Sequence, residues 1–152
     1  MGGLVNELRK YSRIALDTNT LIYLLERHPF YGPEVKEVFE LIEKGVCLGI
    51  TSTLLMTEIL TKPLKEGACD LYHRYLVFFH AFPNLIIKDV TQNISIGAAK
   101  LRARYNLKTP DAIFLATALD EEAEAFITND ARLENIANLN VIIISKYIQR
   151  DK

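Results

Sequence analysis

The feature that most constrains this chain is its alternation of short apolar runs with longer stretches of helical spacing. The apolar runs fall at 14–16, 46–51, 85–87, 125–128 and 141–144. They are near-continuous rather than alternating, the pattern of strands buried on both faces, as in a parallel sheet. Between them lie stretches with apolar residues three and four positions apart, at 18–28, 33–44, 53–63, 68–80, 93–105 and 109–122, and a short helical stretch before the last run. Strands that alternate with helices predict a three-layer α/β/α sandwich around a central parallel sheet of about five strands.

Local punctuation supports these boundaries. Pro33 opens the second helix, and Gly45, just past Lys44, is placed to end it in a left-handed conformation. Ser52 or Thr53 serves as the cap of the third helix, which is expected to stop near Pro63. Thr109 reads as an N-cap, with Pro110 at the first helical position. Met1, Gly2 and Gly3 carry no structural weight in this reading. No linker, repeat or low-complexity tract divides the chain, so residues 1–152 are expected to form one domain.

Composition excludes several functional classes. With 49% hydrophobic and 24% charged residues, the chain has a globular balance and enough apolar residues for a core. Its apolar runs are far shorter than the roughly 20 residues a membrane span needs, and the N-terminus has no secretory pattern. Cys47 and Cys69 lack metal-binding spacing and read as reduced thiols of a cytoplasmic protein. His28, His73 and His80 also lack zinc spacing. A formal net charge of −1 supplies no global field for a polyanion, so nucleic-acid contacts would have to be local.

Carboxylates remain as candidate ligands. Asp17 ends the first apolar run, Asp130 closely follows the fourth, Glu58 falls on the second turn of the third helix, and Asp111 lies in the first turn of its own helix. Open parallel sheets bind ligands beyond the carboxyl ends of their strands, where all four acids are expected to converge. Read alone, Asp17, Asp111 and Asp130 have plainer roles as capping, loop or helix-dipole residues, and Glu58 as a solvated one. A shared cluster would have to take up protons, lose stability or bind a cation. An all-oxygen set favours Mg²⁺ or Mn²⁺. Thr18, Asn19, Thr128 and Asn129 stand beside the acids and are candidates for orienting carboxylates or water, or for turn and capping roles.

The same segments carry a resemblance. Leu16-Asp17-Thr18-Asn19-Thr20-Leu21-Ile22-Tyr23 resembles the opening motif of PIN-domain nucleases, and Thr57-Glu58-Ile59-Leu60 resembles their second acidic motif. The stretch 109–118, Thr-Pro-Asp-Ala-Ile-Phe-Leu-Ala-Thr-Ala, is similar to the third, and Phe126-Ile127-Thr128-Asn129-Asp130 to the fourth. The similarity runs from about residue 12 to 147, with all four acids in place. It implies a PIN-like fold and a Mg²⁺- or Mn²⁺-dependent ribonuclease whose metal is held by Asp17, Glu58, Asp111 and Asp130. It also implies Thr128 as a polar member of the site. The compact size is similar to VapC-type toxins, which implies a homodimer blocked by a small antitoxin protein. PIN domains also act in RNA processing, and a non-catalytic RNA- or protein-binding PIN module is the competing reading.

Other classes fit less well. A haloacid-dehalogenase-type phosphatase also begins with an Asp after its first strand, but needs a second Asp where this chain has Asn19. A response-regulator receiver needs an acidic pair that is absent here. Lys100, Arg102, Arg104 and Lys108 form the densest basic cluster and are candidate phosphate contacts, or else an ordinary solvated face. The aromatic helix with Tyr72, Tyr75, Phe78 and Phe79 reads as core packing, with a dimer or antitoxin surface as the alternative.

Overall fold

A computed structural model describes residues 3–136 and 138–148. Five strands, β1 (Arg13–Leu16), β2 (Leu48–Ser52), β3 (Leu85–Lys88), β4 (Ala125–Thr128) and β5 (Asn140–Ile143), form one parallel sheet in the order β3-β2-β1-β4-β5. Seven α-helices connect or flank them among the described residues: α1 (Gly3–Leu8), α2 (Thr18–Leu25), α3 (Gly32–Glu43), α4 (Leu54–Lys65), α5 (Cys69–Ala81), α6 (Gln92–Tyr105) and α7 (Thr109–Asp120). The expected α/β architecture and strand count are therefore present. No described helix is long and apolar enough to cross a membrane.

The central strands are as dry as their sequences require. Ile14, Leu16, Phe126 and Ile127 are fully buried in the main core, with α7 lying across β2, β1 and β4. β1 pairs with β4 so that Leu16 stands opposite Ile127. The chain runs outward through β1, β2 and β3, then returns to the other side of β1 to lay down β4 and β5. That reversal opens the crevice between neighbouring strand ends in which doubly wound sheets place ligands. A satellite cluster of Ile94, Ala98, Ala112 and Ala116 joins α6 to α7, where small side chains allow close helix approach.

Several local expectations need correction. α4 ends at Lys65, two residues past Pro63, near which its end is expected, and takes the proline inside the helix. The Pro63 ring is buried, and its carbonyl accepts Ala68 N–H at 2.8 Å, so packing and a turn offset the missing helical donor. Ser52, rather than Thr53, provides the side-chain cap, its hydroxyl accepting Leu54 N–H at 3.1 Å. At α7, Lys108 takes the extended N-cap conformation, Thr109 is the first helical residue and Pro110 the second. Proline is tolerated there because first-turn N–H groups have no partner within the helix. Gly45 ends α3 at φ 78° as expected. Gly3 begins α1, a helix without a strong periodic signal, whereas Met1 and Gly2 lie outside the described residues. Tyr75 and Phe79 are buried, and Phe78 packs 5.0 Å from Phe82 and 6.2 Å from Phe39, ring centre to ring centre, so much of the aromatic helix is core.

Candidate metal centre

The β1 end delivers Asp17 into the crevice. Its backbone is extended, and its side chain caps α2: Oδ1 accepts Thr20 N–H at 3.0 Å and the Thr20 hydroxyl at 2.9 Å. The other oxygen, Oδ2, accepts the Thr128 hydroxyl at 2.5 Å. Thr128 in turn accepts Asp130 N–H at 3.1 Å. One buried hydroxyl from the end of β4 therefore ties the first acid to the backbone of the last. Thr20, not singled out from sequence, fixes Asp17 from the other side; its position three residues after an N-capping Asp was the available signal.

Burial raises the Asp17 carboxyl above the usual aspartate range; its Thr128 and Thr20 hydrogen bonds oppose that shift, and the charge of Asp111 adds to it. Asp111 is also held high, first by burial and then by the charge of Asp130, with Arg132 and Lys108 opposing. Asp130 behaves differently. Hydrogen bonding from the Arg132 guanidinium holds its carboxyl below the usual range. Asp17, Asp111 and Asp130 thus form an electrostatically connected series across the strand ends.

Glu58 approaches this series through Thr18. The buried Thr18 hydroxyl donates to Glu58 Oε1, linking the residue after Asp17 to the second turn of α4. The remaining polar candidates divide. Thr18 and Thr128 bond directly to site carboxylates, whereas Asn19 is exposed. Asn129 points into the scaffold: its Oδ1 accepts Ser145 N–H at 3.0 Å and its amide donates to the Tyr23 hydroxyl at 3.4 Å.

The basic candidates divide too. Lys108 is close enough to influence the ionisation of both Asp111 and Asp130. Arg102 Nε instead donates to the Leu107 carbonyl at 3.0 Å, bracing the corner after α6, and Arg104 lies 5.2 Å over the Tyr105 ring. Lys100 is exposed on α6. Among the described residues the cation in direct contact with these acids is Arg132, which no motif or charge cluster marks in the sequence.

The donor chemistry suits a hard divalent cation. Asp17 and Asp111 are partly desolvated, and each feels another acid's charge, an arrangement that cation binding relieves. Among the described residues, no three His, Cys, Asp or Glu side chains form a ready-made metal cluster. Thr18 engages one oxygen of Glu58, whereas Arg132 engages both oxygens of Asp130.

The PIN domain family model matches residues 14–139. Among solved structures, VapBC2 from Rickettsia felis bound to a promoter DNA fragment is 21% identical, with 86% of this chain and 97% of that chain covered and a TM-score of 0.69. A toxin–antitoxin complex from Klebsiella pneumoniae is 27% identical, with 86% and 97% covered and a TM-score of 0.64. VapC20 from Mycobacterium tuberculosis, described as a sarcin-ricin loop cleaving toxin, is 13% identical, with 84% and 98% covered and a TM-score of 0.64. No curated protein matches the chain in sequence.

Proposed function

The chain belongs to the PIN-domain family, and on that basis we propose that it is a Mg²⁺- or Mn²⁺-dependent endoribonuclease. In this reading residues 1–152 form one cytoplasmic domain that acts as a homodimer and as the toxin half of a VapBC-type pair. The observation that carries the nuclease reading is the Thr128 hydroxyl joining Asp17 to Asp130 at the β1/β4 crevice, with Glu58 held to the same rim by Thr18 and Asp111 close enough to raise the Asp17 carboxyl.

Asp17, Glu58, Asp111 and Asp130 are the proposed metal ligands. A bound divalent cation supplies a more acidic water and neutralises negative charge on a phosphodiester. Thr20 and Thr128 fix the Asp17 carboxylate, reducing the orientational freedom lost when it becomes a ligand. Thr18 positions Glu58 against the same rim. Lys108, with Arg132, adds positive charge beside the acids that an RNA backbone must approach.

A partner segment has a place to bind beside this rim. A groove of about 440 Å³ begins at Glu58 and is lined by Ile22, Leu25, Ile59, Pro63 and Tyr75. Its apolar walls suit an amphipathic segment of a small antitoxin, with Glu26, Lys62 and Glu66 available to polar flanks.

The direct test is cleavage of labelled RNA with Mg²⁺ or Mn²⁺ and with chelator, for wild type and Asp17→Asn. Cation-dependent cleavage that disappears in the variant is expected. Cleavage by the purified variant at the wild-type rate removes Asp17 from the mechanism, and no cleavage by wild type with any of several RNAs favours the binding-module reading.

A further inference from the structure

Arg132 makes a contact that neither the fold nor the proposed metal chemistry requires. In the 3-10 turn Ala131–Leu133, its Nε lies 3.0 Å from Asp130 Oδ1 and 3.2 Å from Oδ2, while Nη2 lies 2.6 Å from Oδ2. Both carboxylate oxygens are thus engaged by one guanidinium. The side chain is nevertheless 68% exposed, against 25% for Asp130. Exposed ion pairs contribute little to folding, so stability is a weak reason for this fork.

Its position suggests a different use. Asp130 is one end of the acidic series, and the positive charge of Arg132 also reaches Asp111. The Arg132 backbone N–H separately donates to Asp130 Oδ1 at 3.0 Å. Release of the side chain would therefore leave the Asp130 carboxylate oriented by the turn. The freed guanidinium would remain tethered two residues away. The planar fork that matches a carboxylate also matches a phosphate.

We infer that Arg132 is an exchangeable cation of this site: it neutralises Asp130 without metal, yields that carboxylate to a divalent cation, and then contacts a phosphate of the bound RNA. This rests on the metal-dependent nuclease reading. Arg132 and the metal compete for the same oxygens, so the exchange must weaken intrinsic metal affinity. Once metal has neutralised the acids, the released arginine adds positive charge toward the polyanion.

The test compares wild type, Arg132→Ala and Arg132→Lys. Mn²⁺ binding is measured by titration calorimetry without RNA, and KM and kcat are measured with a short RNA at saturating Mn²⁺. Removing a solvent-facing but bidentate competitor is expected to tighten Mn²⁺ binding by about three- to tenfold in Arg132→Ala. KM should rise by about fivefold, the loss of one exposed phosphate contact, with a smaller change in kcat. Arg132→Lys retains charge without the fork; its Mn²⁺ affinity should lie between the other two and its KM should return toward wild type. Unchanged or weaker Mn²⁺ binding in Arg132→Ala, with normal binding by wild type, overturns the exchange but leaves the nuclease reading intact. Tighter Mn²⁺ binding with an unchanged KM overturns the phosphate contact. Absence of Mn²⁺ binding to folded wild type overturns both the exchange and the metal-dependent reading.

Discussion

Replacing Asp111 with Asn should stabilise the metal-free protein while weakening its response to metal. Burial and the charge of Asp130 both hold the Asp111 carboxyl above its ordinary value, so ionisation costs more in the folded than in the unfolded chain. This penalty is absent below the ordinary aspartate range, grows as pH rises through the folded-state value and is complete above it. At 4 Å and an effective dielectric near 20, two like charges repel by about 4 kcal/mol, an upper bound for this pair. Asp111 is only partly buried, and solvent screening reduces that to roughly 1–2 kcal/mol. Its position in the first turn of α7 returns about 0.5 kcal/mol through the helix dipole. The net gain for Asp111→Asn at neutral pH is therefore about 1 kcal/mol, or roughly 2–4 °C in Tm for a domain of this size. It should shrink toward zero near pH 3. With free cation at about ten times Kd, wild type should gain about 1.4 kcal/mol, and the variant distinctly less. Thermal melts in chelator and in Mn²⁺, followed by far-ultraviolet circular dichroism across pH, measure all of these effects. A variant less stable than wild type in chelator at pH 7, or one with the full metal shift, would refute the reasoning.

Three further outcomes follow from particular contacts. Thr128→Val should cost about 1–3 kcal/mol in denaturant unfolding, because it removes the donor to Asp17 Oδ2 and the acceptor for Asp130 N–H; stability equal to wild type would show those bonds to be dispensable. Lys108→Glu should weaken single-stranded RNA binding and reduce the magnitude of its salt slope, whereas Arg102→Ala should affect binding less because Arg102 is already committed to the Leu107 carbonyl; equal effects in fluorescence anisotropy would refute that division. Gly49→Ala should destabilise by about 1–2 kcal/mol, because the new Cβ would stand 2.9 Å from Ile42 Cδ1 and 3.0 Å from Leu85 Cδ1 in the packed layer beside β2; an unchanged urea midpoint would mean that those two side-chain ends move aside freely.

Much of the architecture could be read along the chain because burial has a local signature. The runs at 14–16 and 125–127 are apolar throughout since their strands are central and covered on both faces, and Asp17 marks an abrupt end to the first. The placement of Asp111 in a helix's first turn followed from Pro110, although the cap itself lies one residue earlier than expected. α4 runs two residues beyond Pro63 because the cost of a proline is local, whereas the burial that offsets it is tertiary. Thr20 and Arg132 are less legible for a different reason, since each meets its acid locally, three and two residues along the chain. Whether a polar side chain two or three residues from an acid turns back to it or out to solvent is a choice of rotamer, which hydrophobic periodicity does not record.

By itself, then, the sequence determined an alternating α/β chain with acids at its structural boundaries, since hydrophobic periodicity records which face of each element is dry. Strand order was a tertiary decision. β1 and β4 are far apart in sequence, and their pairing brings the Thr128 hydroxyl onto Asp17 and Asp130 into electrostatic reach of Asp111. Tertiary structure also decided that Thr18 of α2 reaches Glu58 of α4 and that Asn129 turns to Tyr23 and Ser145. Apolar burial is strong enough to leave a periodic trace in sequence; the choice among polar partners turns on about a kilocalorie per mole and on geometry, and leaves none.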